Sequence, residues 1–337
     1  MRLSILLAGF CLLASAQQYV PYKILKTAKV GGAGGFDYVY ADSANRKLYI
    51  PRTGDAARVT VYDLDTLQPA GEIPNTNARG AAVSPKSNHG FASSKPVAMW
   101  DAKTLQPIKT IDVDGAPDGI MYDPFEDHVW VFSHRAPNAT VINAKDGTVV
   151  GTVDLGGAPE QAASDGKGRI YVDLEDKNEI AVVDAKDRKV IGRYDLQGKG
   201  GTCAGLALDS KNGILFSTCR DPQKMVILRA SDGKILGDQP IGAGTDGAVF
   251  NPKTNEVFSS QRDGTLTIVH ESNPTTFSVV QTLQTMTGGK TLTFDAKTGH
   301  ILIIAAEYGQ PAPAPAGGRA GRAQMLPDSF TILMIGR

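Results

Sequence analysis

The feature that most constrains this chain is a repeat. A turn-forming residue closes a short apolar run at Asp42, Ser84, Asp123, Asp165, Asp209, Asn251 and Asp295, with spacings of 42, 39, 42, 44, 42 and 44 residues. The copy at 115–155 shows the unit. Its four β-branched or aromatic runs, 119–122, 129–132, 140–142 and 149–153, are separated by Asp-Pro, Pro-Asn and Asp-Gly clusters. Short runs of this composition, bounded by such turns, read as antiparallel strands. None is long enough to be a helix with a buried face. Seven four-stranded units of roughly 40 residues predict an all-β chain folded as a seven-bladed β-propeller.

The end of the chain predicts how the ring closes. The seventh copy stops at Arg337, just after its third strand at 330–334, and so lacks an outer strand. The segment 24–30 (ILKTAKV) resembles the outer strand 108–113 (IKTIDV), and each leads into a first strand. Residues 23–30 are therefore expected to complete blade seven. That arrangement covers a strand edge and makes 17–337 one domain.

Residues 1–16 read as a secretory signal. Arg2 gives the positive start, 5–13 the apolar centre, and Ala14-Ser15-Ala16 the small-residue cleavage site. The apolar run is too short to span a bilayer. The expectation is export to the periplasm or the extracellular space, without membrane insertion after cleavage, as a monomer. An apolar fraction of 42% with 21% charged residues supports a folded core. Loss of Arg2 with the signal leaves 34 basic and 35 acidic residues. A chain this neutral lacks the basic field of a nucleic-acid binder. One segment departs from the repeat. Residues 309–325 form a Pro/Ala/Gly/Arg-rich connection carrying Arg319 and Arg322, expected to be extended and mobile and able to cover one face of the disc.

The copy Ile170-Tyr171-Val172-Asp173, followed by Asn178, Ile180-Ala181-Val182-Val183-Asp184 and Lys189-Val190-Ile191-Gly192, resembles the YVTN-type propeller repeat proteins. Gly115-Ala116-Pro117 and Gly157-Ala158-Pro159 resemble that family's lead into the next blade. The resemblance covers about 22–337, although Asp173-Leu174 stands where the name-giving tetrapeptide has threonine and asparagine. It implies an exported protein that binds partners or ligands. Similar propellers include lactonases and electron-transfer subunits, so the fold alone does not assign chemistry.

Motif chemistry is sparse. No two of His89, His128, His134, His270 and His300 have metal-ligand spacing, and no Cys/His cluster, nucleophile elbow, phosphate loop or haem-attachment motif occurs. No catalytic residue, metal or cofactor is assigned. The glycine-rich 31–35 reads as an inter-blade turn. What remains is one face of the ring. Asp37, Arg79, Asp118, Glu160, Asp246 and Lys290 each stand five residues before the turn residue of their blade, so the repeat places them at equivalent points around the channel mouth. The ends of the second strands add Arg52, Lys95, His134, Glu175, Arg220, Arg262 and Glu307 on the same face. The ligand-binding rim is expected at Asp37, Arg52, Arg79, Asp118, His134, Glu160, Arg220, Asp246, Arg262 and Lys290. It would grip a protein loop or a small polar ligand; the plainer reading is a solvated rim. A hydrolytic alternative would pair His134 with Asp118 or Glu160 as acid and base. A scaffold role in a cell-envelope complex is the third reading. Cys203 and Cys219 flank one hairpin evenly and are expected to form a disulfide.

Overall fold

The computed structural model describes residues 19–55, 57–310 and 323–337. The proposed signal at 1–16 and the Arg319/Arg322 part of the long connection lie outside the described residues. The strands form seven separate four-stranded antiparallel sheets, and no helix occurs among the described residues. The chain is a seven-bladed β-propeller, as the repeat predicts. Blade three, for example, is Ala116–Asp123, His128–Arg135, Asn138–Asn143 and Val149–Asp154 in simple up-and-down order.

Position in the blade explains the composition of each strand. Second and third strands are covered on both faces by neighbouring blades, so their centres are largely apolar and buried: Ile301–Ala305 (ILIIA) is fully buried. Outer strands face water on one side, and Lys189–Asp195 alternates exposed with half-buried residues. Seven apolar clusters fill the seams, one between each pair of adjacent blades. In the closing seam Leu48 and Ile50 of blade one meet Leu302, Ile304 and Phe330 of blade seven. Burying each such side chain contributes roughly 1.5–3 kcal/mol, so the core is a ring of seams rather than a central mass. The pairing of third and fourth strands slips at an equivalent place in each blade, such as Val141/Ile142, Val182/Val183 and Ile227/Leu228, and blade six slips a second time at Glu271/Asn273. A bulge there increases the twist and turns the outer edge away from a flat, pairable geometry.

The ring closes as the end of the sequence predicts. Lys23–Lys29 lies antiparallel on Thr331–Gly336, with Lys29 opposite Thr331 and Lys23 opposite Gly336. Tyr22, just before this strand, donates its hydroxyl to Glu256 Oε2 at 2.7 Å, and the Arg337 guanidinium lies 4.3 Å over its ring while pairing with the same carboxylate. First and last residues of the propeller are thus tied to each other and to blade six. Cys203 and Cys219 stand directly opposite one another in blade five and are joined by a disulfide, 2.04 Å between sulfurs.

Candidate functional site

The lead-ins to the first strands and the ends of the second strands do share one face. Asp37, Arg79, Asp118, His134, Glu160, Arg220, Asp246, Arg262 and Lys290 line one cavity of about 670 Å³ at the channel mouth, together with Glu175 and Arg135. Their side chains form a nearly continuous circuit. Asp118 faces Arg79 at 3.6 Å, Arg79 reaches Asp37 at 3.1 Å, and Asp37 meets Lys290 at 3.1 Å. Lys290 pairs with Asp246, Asp246 with Arg220, and Arg220 reaches Glu175 at 2.5 Å. His134 then stands between Glu175 and Glu160, with Nε2 3.8 Å from the first and Nδ1 3.5 Å from the second. Blade five carries Ala204 at the rim position; Arg220, at the end of its second strand Ile214–Arg220, fills the gap.

Burial and crowding set the charges. Burial, reinforced by Asp37 and opposed by Arg79, raises the Asp118 carboxyl to about 6. Burial and then the neighbouring carboxylates of Glu175, Asp246 and Asp118 push Glu160 well above the ordinary range. Burial alone would lower Lys290, but Asp246 and Asp37 more than offset it and hold the ammonium charged. Arg135 and Arg262 are exposed on the cavity wall, and neither side chain makes a hydrogen bond or ion pair among the described residues.

Three residues expected at the rim stand elsewhere. Arg52 is fully buried. Its guanidinium lies 3.7 Å over the Phe330 ring and donates to the carbonyls of Gly31, Gly32 and Gly34. It is therefore a packing residue, and burial lowers its pKa to about 10. The glycine-rich turn explains the displacement. The chain folds back over the strand end there, so closely that a Cβ on Gly34 would sit 2.4 Å from the Thr53 carbonyl oxygen. Lys95 donates to the Gly115 carbonyl at 2.5 Å and does not line the mouth. Glu307 borders an adjoining groove with Phe36, Met286, Tyr308 and Leu326, which meets the mouth at Arg262 and Lys290.

The floor of the mouth goes beyond the sequence expectation. Tyr38 of blade one donates to Glu160 Oε2 of blade four at 2.9 Å. Gln161 of blade four donates to the Ala248 carbonyl at 2.9 Å and accepts from the Ala248 and Leu206 amides. Both residues also line an adjoining inner cavity of about 250 Å³, together with Ile120, Met121, Phe132 and Leu292. A signal for them exists in the sequence. The column four residues before each turn residue reads Tyr38, Gly80, Gly119, Gln161, Gly205, Gly247 and Thr291. Two long side chains reach into space that four glycines leave open. At Gly205 a Cβ would meet the Gly247 backbone at 2.7 Å.

No family model matches the sequence, and no curated protein matches it. Many solved structures share the fold. One described as the structure of U3-55K is 13% identical with a TM-score of 0.71, covering 93% of this chain and 98% of that one. Another, the crystal structure of RRP9 WD40 repeats, is 13% identical with a TM-score of 0.73, covering 94% and 97% respectively. At such identity the likeness is one of fold.

Proposed function

We propose that this chain is an exported binding protein whose channel mouth receives an acidic segment of a partner protein. One observation carries the reading. The inner carboxylates Asp37, Asp118, Glu175 and Asp246 are engaged by Arg79, Lys290 and Arg220, while Arg135 and Arg262 stand exposed on the wall of the same cavity without side-chain partners among the described residues. Guanidinium groups suit paired recognition of carboxylates. The likeness to WD40 propellers supports a protein partner over a small ligand. The signal-like N-terminus supports export, and so does the disulfide, since such bonds persist in oxidising compartments. The hydrolytic alternative has less support: His134 stands 3.5 Å from Glu160, longer than the 2.7–3.2 Å of a hydrogen bond.

The test is affinity capture from native cell envelope with the mature chain and with Arg135→Glu/Arg262→Glu. The expected result is a partner retained by the first, released by moderate salt, and lost with the second. Equal capture by both proteins would place the partner on another surface. Turnover in a lactone and ester screen would favour the hydrolase.

A further inference from the structure

We infer that His134, Glu160 and Glu175 form a binding site for one divalent first-row transition ion, such as Zn²⁺, on the wall of the mouth. The three residues come from different segments. His134 lies near the end of the second strand of blade three, Glu160 in the first strand of blade four, Pro159–Ser164, and Glu175 just beyond that blade's second strand, Arg169–Leu174. One ligand atom from each lies within 4.8 Å of the other two. No spacing in the sequence announces such a set, because ring geometry alone brings 134, 160 and 175 together.

The orientation of the carboxylates singles this group out from the rest of the circuit. Each is fixed through one oxygen and leaves the other free. Glu160 Oε2 accepts the Tyr38 hydroxyl at 2.9 Å, and Glu175 Oε1 accepts Arg220 Nη1 at 2.5 Å. The remaining oxygens, Oε1 of Glu160 and Oε2 of Glu175, are the ones that face the imidazole. In metal sites, outer donors commonly hold one carboxylate oxygen in this way and aim the other at the ion. The imidazole itself is unsatisfied: His134 Nδ1 is shielded from solvent and makes no hydrogen bond. Its 3.5 Å to Glu160 Oε1 is too long for a hydrogen bond. Two ligands of a tetrahedral ion with bonds of about 2.0–2.2 Å lie roughly 3.4 Å apart, close to this separation.

The pairing pattern points the same way. Arg79, Lys290 and Arg220 pair with Asp37, Asp118, Asp246 and Glu175, whereas Glu160 pairs, among the described residues, with no cationic side chain other than the imidazole. One imidazole with two carboxylates favours a first-row transition ion over Ca²⁺ or Mg²⁺, which take oxygen ligands. Three protein ligands leave a fourth position for water or a partner group. The inference concerns the same mouth as the proposed function but does not rest on its partner.

The test uses tag-free mature protein stripped with a chelator. Zn²⁺ is titrated calorimetrically, and Co²⁺ is followed by its visible absorption. The expected result is one equivalent of Zn²⁺ bound, with a Co²⁺ spectrum of four-coordinate type and no comparable uptake of Ca²⁺. His134→Gln and Glu175→Gln should abolish the stoichiometric site while retaining the circular dichroism of the parent. Tyr38→Phe, which removes only the donor that aims Glu160, should weaken binding about 10- to 100-fold. Arg135→Glu/Arg262→Glu should still bind the metal, so failure of the partner reading and failure of this one are separable. Absence of stoichiometric Zn²⁺ binding, Ca²⁺ binding of equal strength, or binding indifferent to His134→Gln would each overturn the assignment.

Discussion

The two ends of the inner strands use the same residue types in opposite ways. At the far end, Asp42 Oδ1 accepts the amides of Ala44 and Asn45, Asp209 that of Lys211, Asn251 that of Lys253 and Asp295 that of Lys297. Each of these amides lies two or three residues along the chain, so every copy of the repeat brings its own. A partner from the adjoining blade is added at only some anchors, as where Arg46 pairs with Asp295 and Ser164 donates to Asp123. Five residues earlier, at the mouth, Asp37 is paired with Arg79 and Lys290, which are 42 and 253 residues away. Arg79 arrives when the next blade docks, and Lys290 only when the ring closes. Carboxylates at the far end shape turns; at the mouth they depend on other blades, and some atoms, such as Asp118 Oδ1, stay without a hydrogen bond.

The comparison breaks most severely at Asp246, which holds both Arg220 and Lys290 and is nearly buried itself. Asp246→Ala leaves two cations confined without their shared anion. The expected loss is about 3–5 kcal/mol in urea unfolding, the range for breaking one partner out of a buried pair. A loss below about 1 kcal/mol would instead mark the circuit as a solvated rim.

Blade five is where the mouth pattern lapses, with Ala204 in the charged column and the Cys203–Cys219 bridge beside it. The bridge joins positions 16 apart, and on the chain-entropy account a loop of that length contributes about 3 kcal/mol. Cys203→Ser/Cys219→Ser should lose about that much, and reductant should then have no further effect on its melting. Unfolded, unreduced mature protein should show no free thiol; two would rule the bridge out.

Asp118 sharpens the comparison in the other direction, because its replacement should stabilise. Its folded pKa is raised to about 6, above the ordinary carboxylate value, so folding favours the protonated form. That contribution is fully present below the unfolded value near 4 and is lost as pH rises through about 6. Asp118→Asn should therefore gain about 2 kcal/mol over the parent near neutral pH, and the gain should shrink towards zero on acidification to about pH 4. A gain independent of pH, or a loss near neutrality, would show that pairing with Arg79 outweighs burial.

The same contrast explains how much of the molecule is legible in its sequence. The repeat fixes strand order and the turn residues, because Asp42 and its relatives act on their own neighbours. The five-residue offset then places the rim correctly for six lead-in residues, since blades are equivalent by symmetry. It fails where a blade is not equivalent. Arg52 falls inward because only blade one has the glycine turn 31–35 folded over its strand end. Pairing partners are not legible, since they depend on which blades adjoin and on side-chain reach. Tyr38 and Gln161 are legible in principle as the two long side chains in a glycine column, but only once that column is known to face the axis. The grouping of His134, Glu160 and Glu175 has no local signature at all.

The smallest effect tests the local half of the contrast. Asp42→Ala removes the acceptor for two backbone amides, 3.1 and 3.0 Å away, and for the Asn45 side chain at 2.8 Å. Water reaches these amides once the side chain is gone, so the cost should be about 1 kcal/mol, as for other local caps. Blade six performs the same task with Asn251, whose Oδ1 accepts the Lys253 amide at 3.0 Å. A neutral acceptor therefore suffices, and Asp42→Asn should be nearly neutral in thermal melting. Neither variant should respond to ionic strength differently from the parent, because the bonds are local and need no charge. If Asp42→Asn costs as much as Asp42→Ala, or if added salt erases the difference, the anchor acts through its charge and the two ends of the strand are not distinct in kind.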